Sequence, residues 1–135
     1  MLADLEPLAQ EKEVKLVEES EELVMTGSDI LIYRMIYNLV ENAIKYNHVG
    51  GQVLVKAVQK DTNIVIEVED TGNGISEEFR ERVFEPFFRV DKSRSRALGG
   101  VGLGLAMVRE IVRVHDGKIS IKENEHGGTT FEVVL

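Results

Sequence analysis

The sequence has no cysteine and no tryptophan, and its 135 residues include two prolines, Pro7 and Pro86. Without cysteine there is no disulfide scaffold, no Cys-ligated zinc and no thiol nucleophile. The reducing cytoplasm suits such a chain. Basic residues are also scarce. Sixteen Lys and Arg stand against 24 Asp and Glu, which gives a formal net charge of −8. A domain this acidic is a poor candidate for coating nucleic acid or for direct contact with an anionic membrane. No apolar run approaches the roughly 18 residues of a membrane helix, and the N-terminus carries no basic-then-apolar leader. What is present is 43% hydrophobic residues. That is enough for a single sizeable core, so the sequence reads as one soluble domain, monomeric in isolation, at residues 1–135.

Charge is unevenly spread. Residues 1–25 carry eight acidic and two basic side chains, whereas residues 86–99 carry Arg89, Lys92, Arg94 and Arg96 against Asp91 alone. A local positive segment in a negative protein suits an anionic ligand or a solvated loop. Periodicity sets the elements. Leu2, Leu5 and Leu8 predict a short helix over residues 1–12, limited or kinked at Pro7. Val14 and Leu16, then Leu23-Val24-Met25, predict two short strands around an acidic turn. Ile32, Met35, Ile36, Leu39, Val40 and Ala43 lie on one face of a long helix that runs from the capping residues at 26–29 to about residue 47. Val53, Val55 and Ala57, then Ile64, Ile66 and Val68, alternate as two strands joined at residues 60–63. Residues 77–88 predict a short helical piece broken at Pro86, and residues 89–101 a long loop. A second amphipathic helix covers residues 103–115. Two last strands hold Ile119 and Ile121, then Phe131, Val133 and Leu135. The expected class is α+β, a two-layer sandwich of a mixed sheet with helices on one face.

Four segments carry candidate chemistry. Asn38, Asn42 and Lys45 share one polar strip of the long helix, where two amide oxygens and an ammonium suit a hydrated hard cation and phosphates, or simply face solvent. Asp70-Thr71-Gly72-Asn73-Gly74-Ile75 follows a strand. Its alternating glycines permit close approach of backbone to a ligand, and Asp70 is placed to accept a hydrogen bond from an exocyclic amine. A capped tight turn has the same composition. Gly99 to Leu105 opens the second helix and exposes N–H groups suited to phosphate. It is neither a dinucleotide fingerprint nor a P-loop. Phe84, Phe87 and Phe88 flank Pro86, three of the five phenylalanines in the chain.

Taken in this order, the segments resemble the ATP-binding catalytic domain of bacterial sensor histidine kinases, in the Bergerat-fold superfamily. Asn38 to Asn47 resembles its N box, Asp70 to Gly74 its G1 box, Phe84 to Arg89 its F box and Gly100 to Leu105 its G2 box. Gly128-Thr129-Thr130-Phe131 is similar to the final Gly-Thr element. The resemblance implies ATP and Mg²⁺ as cofactors. Asn42 would hold the metal, Asn38 and Lys45 the phosphates or metal waters. Tyr46, Asp70, Gly72, Gly74 and Ile75 would surround the adenine. Residues 89–101 would be an ATP lid, with one of Arg89, Lys92, Arg94 or Arg96 on the γ-phosphate. Gly100, Val101, Gly102, Leu103, Gly104 and Leu105 would line the phosphate turn, and Thr130 would complete the nucleotide contacts.

One position bears on reaction type. In the superfamily's ATPases a Glu four residues before the metal-binding Asn activates water. Here Asn38 stands there, and an amide is no base at neutral pH. Glu41, adjacent to Asn42, points about 100° away from it around the helix. His48, His115 and His126 are the three histidines. None lies on a long acceptor-like helix followed by an acidic residue. The resemblance therefore implies a kinase half-site whose acceptor histidine is on a separate dimerisation domain, with residues 1–12 following it and a response regulator downstream. A non-catalytic ATP-sensing module and, less well, a Bergerat ATPase are the alternatives.

Overall fold

Alternating apolar residues build the centre of the sheet. The computed structural model describes residues 2–20, 29–88 and 103–135. Strands β1 (Lys15–Ser20), β2 (Gln52–Lys60), β3 (Asn63–Asp70), β4 (Lys118–Glu123) and β5 (Thr129–Val134) form one five-stranded sheet in the order β1-β2-β3-β5-β4. β1 and β2 are parallel; every other pair is antiparallel. The parallel pair needs a crossover, which helix α2 (Asp29–Lys45) supplies. β2 and β3 form a hairpin in which Lys60 pairs with Asn63. Asp61 takes a φ of 55° in that turn, the left-handed conformation that suits tight hairpin loops.

Helix α1 (Glu6–Lys12), α2 and helix α3 (Gly104–Val114) cover one face of the sheet. That face carries Val53, Val55, Ala57, Ile64, Ile66, Val68, Phe131 and Val133, all buried. α2 meets it with Met35, Ile36, Leu39, Val40, Ala43 and Ile44, and α3 with Val108, Ile111 and Val112. The opposite face is partly polar, with ion pairs Lys56–Glu69 at 4.0 Å and Lys122–Glu132 at 3.1 Å. The α+β sandwich expected from the sequence is therefore the observed fold.

Three details differ from the sequence expectation. Pro7 sits in the first turn of α1, where its missing N–H costs nothing, and Leu2–Leu5 form a separate 3₁₀ turn before it. Residues 77–88 are not one broken helix but two 3₁₀ turns, Glu77–Phe79 and Arg82–Phe84. Val83 and Phe84 are the buried residues of those two turns, so they offer no apolar stripe long enough for an α-helix. α2 and α3 are each shorter than expected, ending at Lys45 and Val114. The expected strand at Leu23–Met25, the capping residues 26–28 and the whole of the expected lid, residues 89–101, lie outside the described residues.

Candidate functional site

The C-terminal end of α2 is bonded to the loop that follows β3. Asn47 is buried, and its Nδ2 donates to the Gln52 carbonyl at 3.0 Å. Its Oδ1 accepts from the His48 amide at 2.9 Å and from the Thr71 hydroxyl at 3.2 Å. Thr71 Oγ1 in turn accepts from the Gln52 amide at 2.9 Å, and His48 Nε2 donates to the Thr71 carbonyl at 2.8 Å. Gly72 therefore passes directly beneath Tyr46. A Cβ at Gly72 would lie 2.8 Å from the Tyr46 carbonyl oxygen, which no side chain tolerates.

Asp70 ends β3 inside this corner. Its Oδ1 accepts from the Gly72 amide at 2.9 Å and from the Thr129 amide, on β5, at 3.1 Å. No described residue bonds its Oδ2. Burial raises the Asp70 carboxyl above its ordinary range, and the two backbone donors pull it partly back. Gly74, at φ 76°, packs against the Gly127 carbonyl, where a Cβ would be 2.9 Å away. Ile75 packs on the core, with its carbonyl held by Arg80 Nε at 3.2 Å. Tyr46, Asp70, Gly72, Gly74 and Ile75 are thus brought to one corner.

A second group lies at the other end of the polar strip. Asn38 Nδ2 faces Met107 Sδ at 3.4 Å, and Gly104, the first residue of α3, lies close to Asn38. Asn38 and Met107 also line an open groove of about 500 Å³ with Asp4, Tyr33, Arg34 and Tyr37. Asn42 is half-buried between the two groups. Lys45 pairs with Glu41 at 3.6 Å. The eight residue steps from Asn38 to Tyr46, at 1.5 Å each, span about 12 Å, the scale of a nucleoside with part of its phosphate chain. Leu103 and Met107 are partly exposed beside this end, and Leu105 packs on the core. Arg89, Lys92, Arg94, Arg96, Gly100, Val101 and Gly102 lie outside the described residues. Among the described residues no three His, Asp or Glu side chains gather as a metal cage.

Thr130 is placed differently from its neighbours in the site. It pairs with Glu69, on the sheet face opposite Phe131 and Val68. Its Oγ1 accepts from Asn124 at 3.4 Å. Within the Gly-Thr element it is Thr129, given no role of its own from the sequence, that bonds Asp70. Asn47 and Asn124 were likewise missed. Each joins its own turn to one distant residue, Thr71 for Asn47 and Asp70 for Asn124, and polar spacing carries no trace of those two links. The aromatic segment divides its labour. Phe84 is buried edge-on against Phe131, with ring centroids 6.3 Å apart. Phe88 stacks on Phe79 under Arg82, and Phe87 is exposed at a φ of 65°.

A mixed sheet covered on one face by helices, with an acidic strand end and a glycine loop meeting a polar helix strip, defines an ATPase-type domain of Bergerat architecture. The chain matches the family model for histidine kinase-, DNA gyrase B- and HSP90-like ATPases over residues 27–135, and it belongs to that family. It is 45% identical over 113 residues, 84% of its length, to the sensor-like histidine kinase SenX3 of Mycobacterium tuberculosis strain H37Rv. It is 36% identical over 126 residues, 93% of its length, to the sensor protein IrlS of Burkholderia pseudomallei. These matches span 28% of SenX3 and 27% of IrlS. Among solved structures, the mycobacterial sensor histidine kinase MprB aligns with a TM-score of 0.82 at 28% identity, covering 97% of this chain and 87% of that one. The catalytic domain of histidine kinase ThkA aligns with a TM-score of 0.84 at 26% identity, covering 99% and 87%. The domain is of the histidine kinase catalytic kind. Among the described residues, no helix is long and apolar enough to cross a membrane.

Proposed function

We propose that this domain binds ATP with Mg²⁺ and donates the γ-phosphate to a histidine on a separate dimerisation and phosphoacceptor domain of the same kinase, which then serves a response regulator. The observation that carries the reading is Asp70, with one carboxylate oxygen fixed by two backbone donors and the other open among the described residues. That open oxygen suits the exocyclic amine of adenine and repels the carbonyl of guanine at the same place. Tyr46, Gly72, Gly74 and Ile75 complete the base site. The phosphate end is assigned to Asn38, Lys45, Leu103, Gly104 and Leu105; the same assignment gives it Gly100, Val101, Gly102 and the lid cations Arg89, Lys92, Arg94 and Arg96, which lie outside the described residues. Asn42 offers a hard amide oxygen with no bonded side-chain partner among the described residues. This fits a cation that draws its other ligands from phosphate and water. Mg²⁺ held there would neutralise phosphate charge.

Transfer rather than hydrolysis follows from the helix strip. Asn38 cannot take a proton from water, and the neighbouring Glu41 is engaged by Lys45. Phosphoryl transfer depends mainly on positioning and charge neutralisation, so a half-site can leave its nucleophile to the partner. The exposed Phe87 is offered to that partner domain. The test is γ-labelled ATP with the purified acceptor domain. Acid-labile label on the acceptor, reduced at least about a hundredfold in Asn42→Ala at an unchanged melting temperature, is expected. ATP binding without transfer to a verified acceptor would instead assign an ATP-sensing module.

A further inference from the structure

One side chain outside the residues assigned above ties several parts of the base corner together. Asn124 lies in the turn between β4 and β5 and is half-buried. Its Nδ2 donates to the Asp70 carbonyl at 2.8 Å and to Thr130 Oγ1 at 3.4 Å. Its Oδ1 accepts from the amides of His126 at 3.0 Å and Gly128 at 3.1 Å. Chemistry fixes this orientation of the amide, since two N–H groups require the oxygen and a carbonyl requires the nitrogen. The Asn124 backbone closes the same turn, donating to the Gly128 carbonyl at 3.2 Å and accepting from the Gly127 amide at 3.1 Å.

The turn is thereby pressed onto Asp70. A Cβ at Gly128 would overlap the Asp70 carbonyl oxygen. The next residue, Thr129, supplies one of the two donors on Asp70 Oδ1. The other donor, Gly72, is two residues from Asp70 and moves with it. The Thr129 amide is therefore the fixed reference that sets the rotation of the carboxylate about its last torsion. Asn124 holds both ends of that reference, the Asp70 backbone and the Gly128 amide.

We propose that Asn124 is a positioning residue for purine selection, fixing the direction in which Asp70 offers its open oxygen to the base. The proposal rests on the adenine role given to Asp70. A carboxylate held in one rotation rewards an amine and penalises a carbonyl. A carboxylate free to turn away loses both the reward and the penalty.

Two variants separate this role from simple turn formation. Asn124→Asp keeps the oxygen that His126 and Gly128 need and replaces the donor to Asp70 with a second acceptor. Asn124→Ala removes both. Calorimetric titration of the full chain with ATP and with GTP, for wild type, both variants and Asp70→Asn, reads the ratio of affinities. ATP affinity is expected to fall about tenfold in Asn124→Asp, with GTP affinity changed much less, so that the ratio narrows towards that of Asp70→Asn. Asn124→Ala should narrow it as well, at a lower melting temperature. Equal losses for both nucleotides, leaving the ratio as in wild type in both variants, overturn the proposal and leave the Asp70 reading standing. A wild type that does not prefer ATP overturns the Asp70 reading, and this proposal falls with it.

Discussion

Burial holds the Asp70 carboxyl above its ordinary range, with the Gly72 and Thr129 amides opposing the rise. A carboxyl whose folded-state pKa is raised binds protons more readily in the folded than in the unfolded chain. Its contribution favours folding below the unfolded value and is lost as pH rises through the folded one. At pH 7 the ionised Asp70 is therefore a net cost to the nucleotide-free fold, tolerated for the oxygen it offers. Asp70→Asn keeps an oxygen for both amides and removes the charge. The variant is expected to melt no lower than wild type at pH 7 without nucleotide, with the difference shrinking as pH falls through the carboxylate range. Its ATP affinity should drop by about 10–100-fold, the scale of a charge-assisted hydrogen bond, and its preference over GTP should vanish. Melting curves across pH, paired with titrations of both nucleotides, measure both effects. A clear loss of apo stability at pH 7 would show that the carboxylate is structural.

The elements meet through two asparagines and a few glycines. Asn47 joins α2, β2 and the Thr71 loop by three hydrogen bonds. Asn47→Ala leaves buried partners unsatisfied. It is expected to cost about 2 kcal/mol and to lower the melting temperature by roughly 8 °C. The glycines divide by what surrounds them. Gly128→Ala forces a methyl into the Asp70 backbone and should destabilise the fold by about 2–4 kcal/mol. Gly104→Ala meets Asn38 Oδ1 at 3.7 Å, an ordinary contact, so thermal unfolding should stay within about 1 kcal/mol of wild type. Loss of ATP affinity in Gly104→Ala without loss of stability would then report close phosphate approach. The strands and long helices were legible because period-2 and period-3.6 patterns record which face is buried. Asp70, Gly72 and Gly74 were legible because a glycine loop after a strand is a local signal. Thr129, Asn124 and Asn47 were not. Thr129 and Asn124 act on Asp70 across 59 and 54 positions, and nothing local marks such a pair. The two 3₁₀ turns were misjudged because charged residues at helical spacing do not reveal how little apolar surface they bury.

At the scale of the whole molecule, the sheet, α2 and α3 form one core with the proposed nucleotide corner at its edge, and all three histidines are otherwise employed or badly placed. His48 Nε2 donates to the Thr71 carbonyl at 2.8 Å, beside the proposed base site. His115 ends α3 with Nδ1 bonded to the Ile111 carbonyl at 2.8 Å. His126 is exposed in the β4–β5 turn beside Glu125, 3.7 Å away. The strip that would face the γ-phosphate offers Asn38, whose amide cannot take a proton, and a Glu41 paired with Lys45 at 3.6 Å. Positioning of a nucleophile is worth roughly five or more powers of ten in rate. The isolated chain is therefore expected to bind ATP yet release phosphate slowly and leave itself unlabelled over hours. Incubation with γ-labelled ATP, followed by gel and phosphate-release assays, tests both statements at once. Label on the chain approaching one phosphate per molecule, mapped to His48, His115 or His126, would refute the half-site. Fast phosphate release, unchanged when Glu41 is replaced by Gln, would show that a base outside this strip serves a true ATPase. Label that reaches the acceptor domain alone, when it is added, is the outcome this geometry requires.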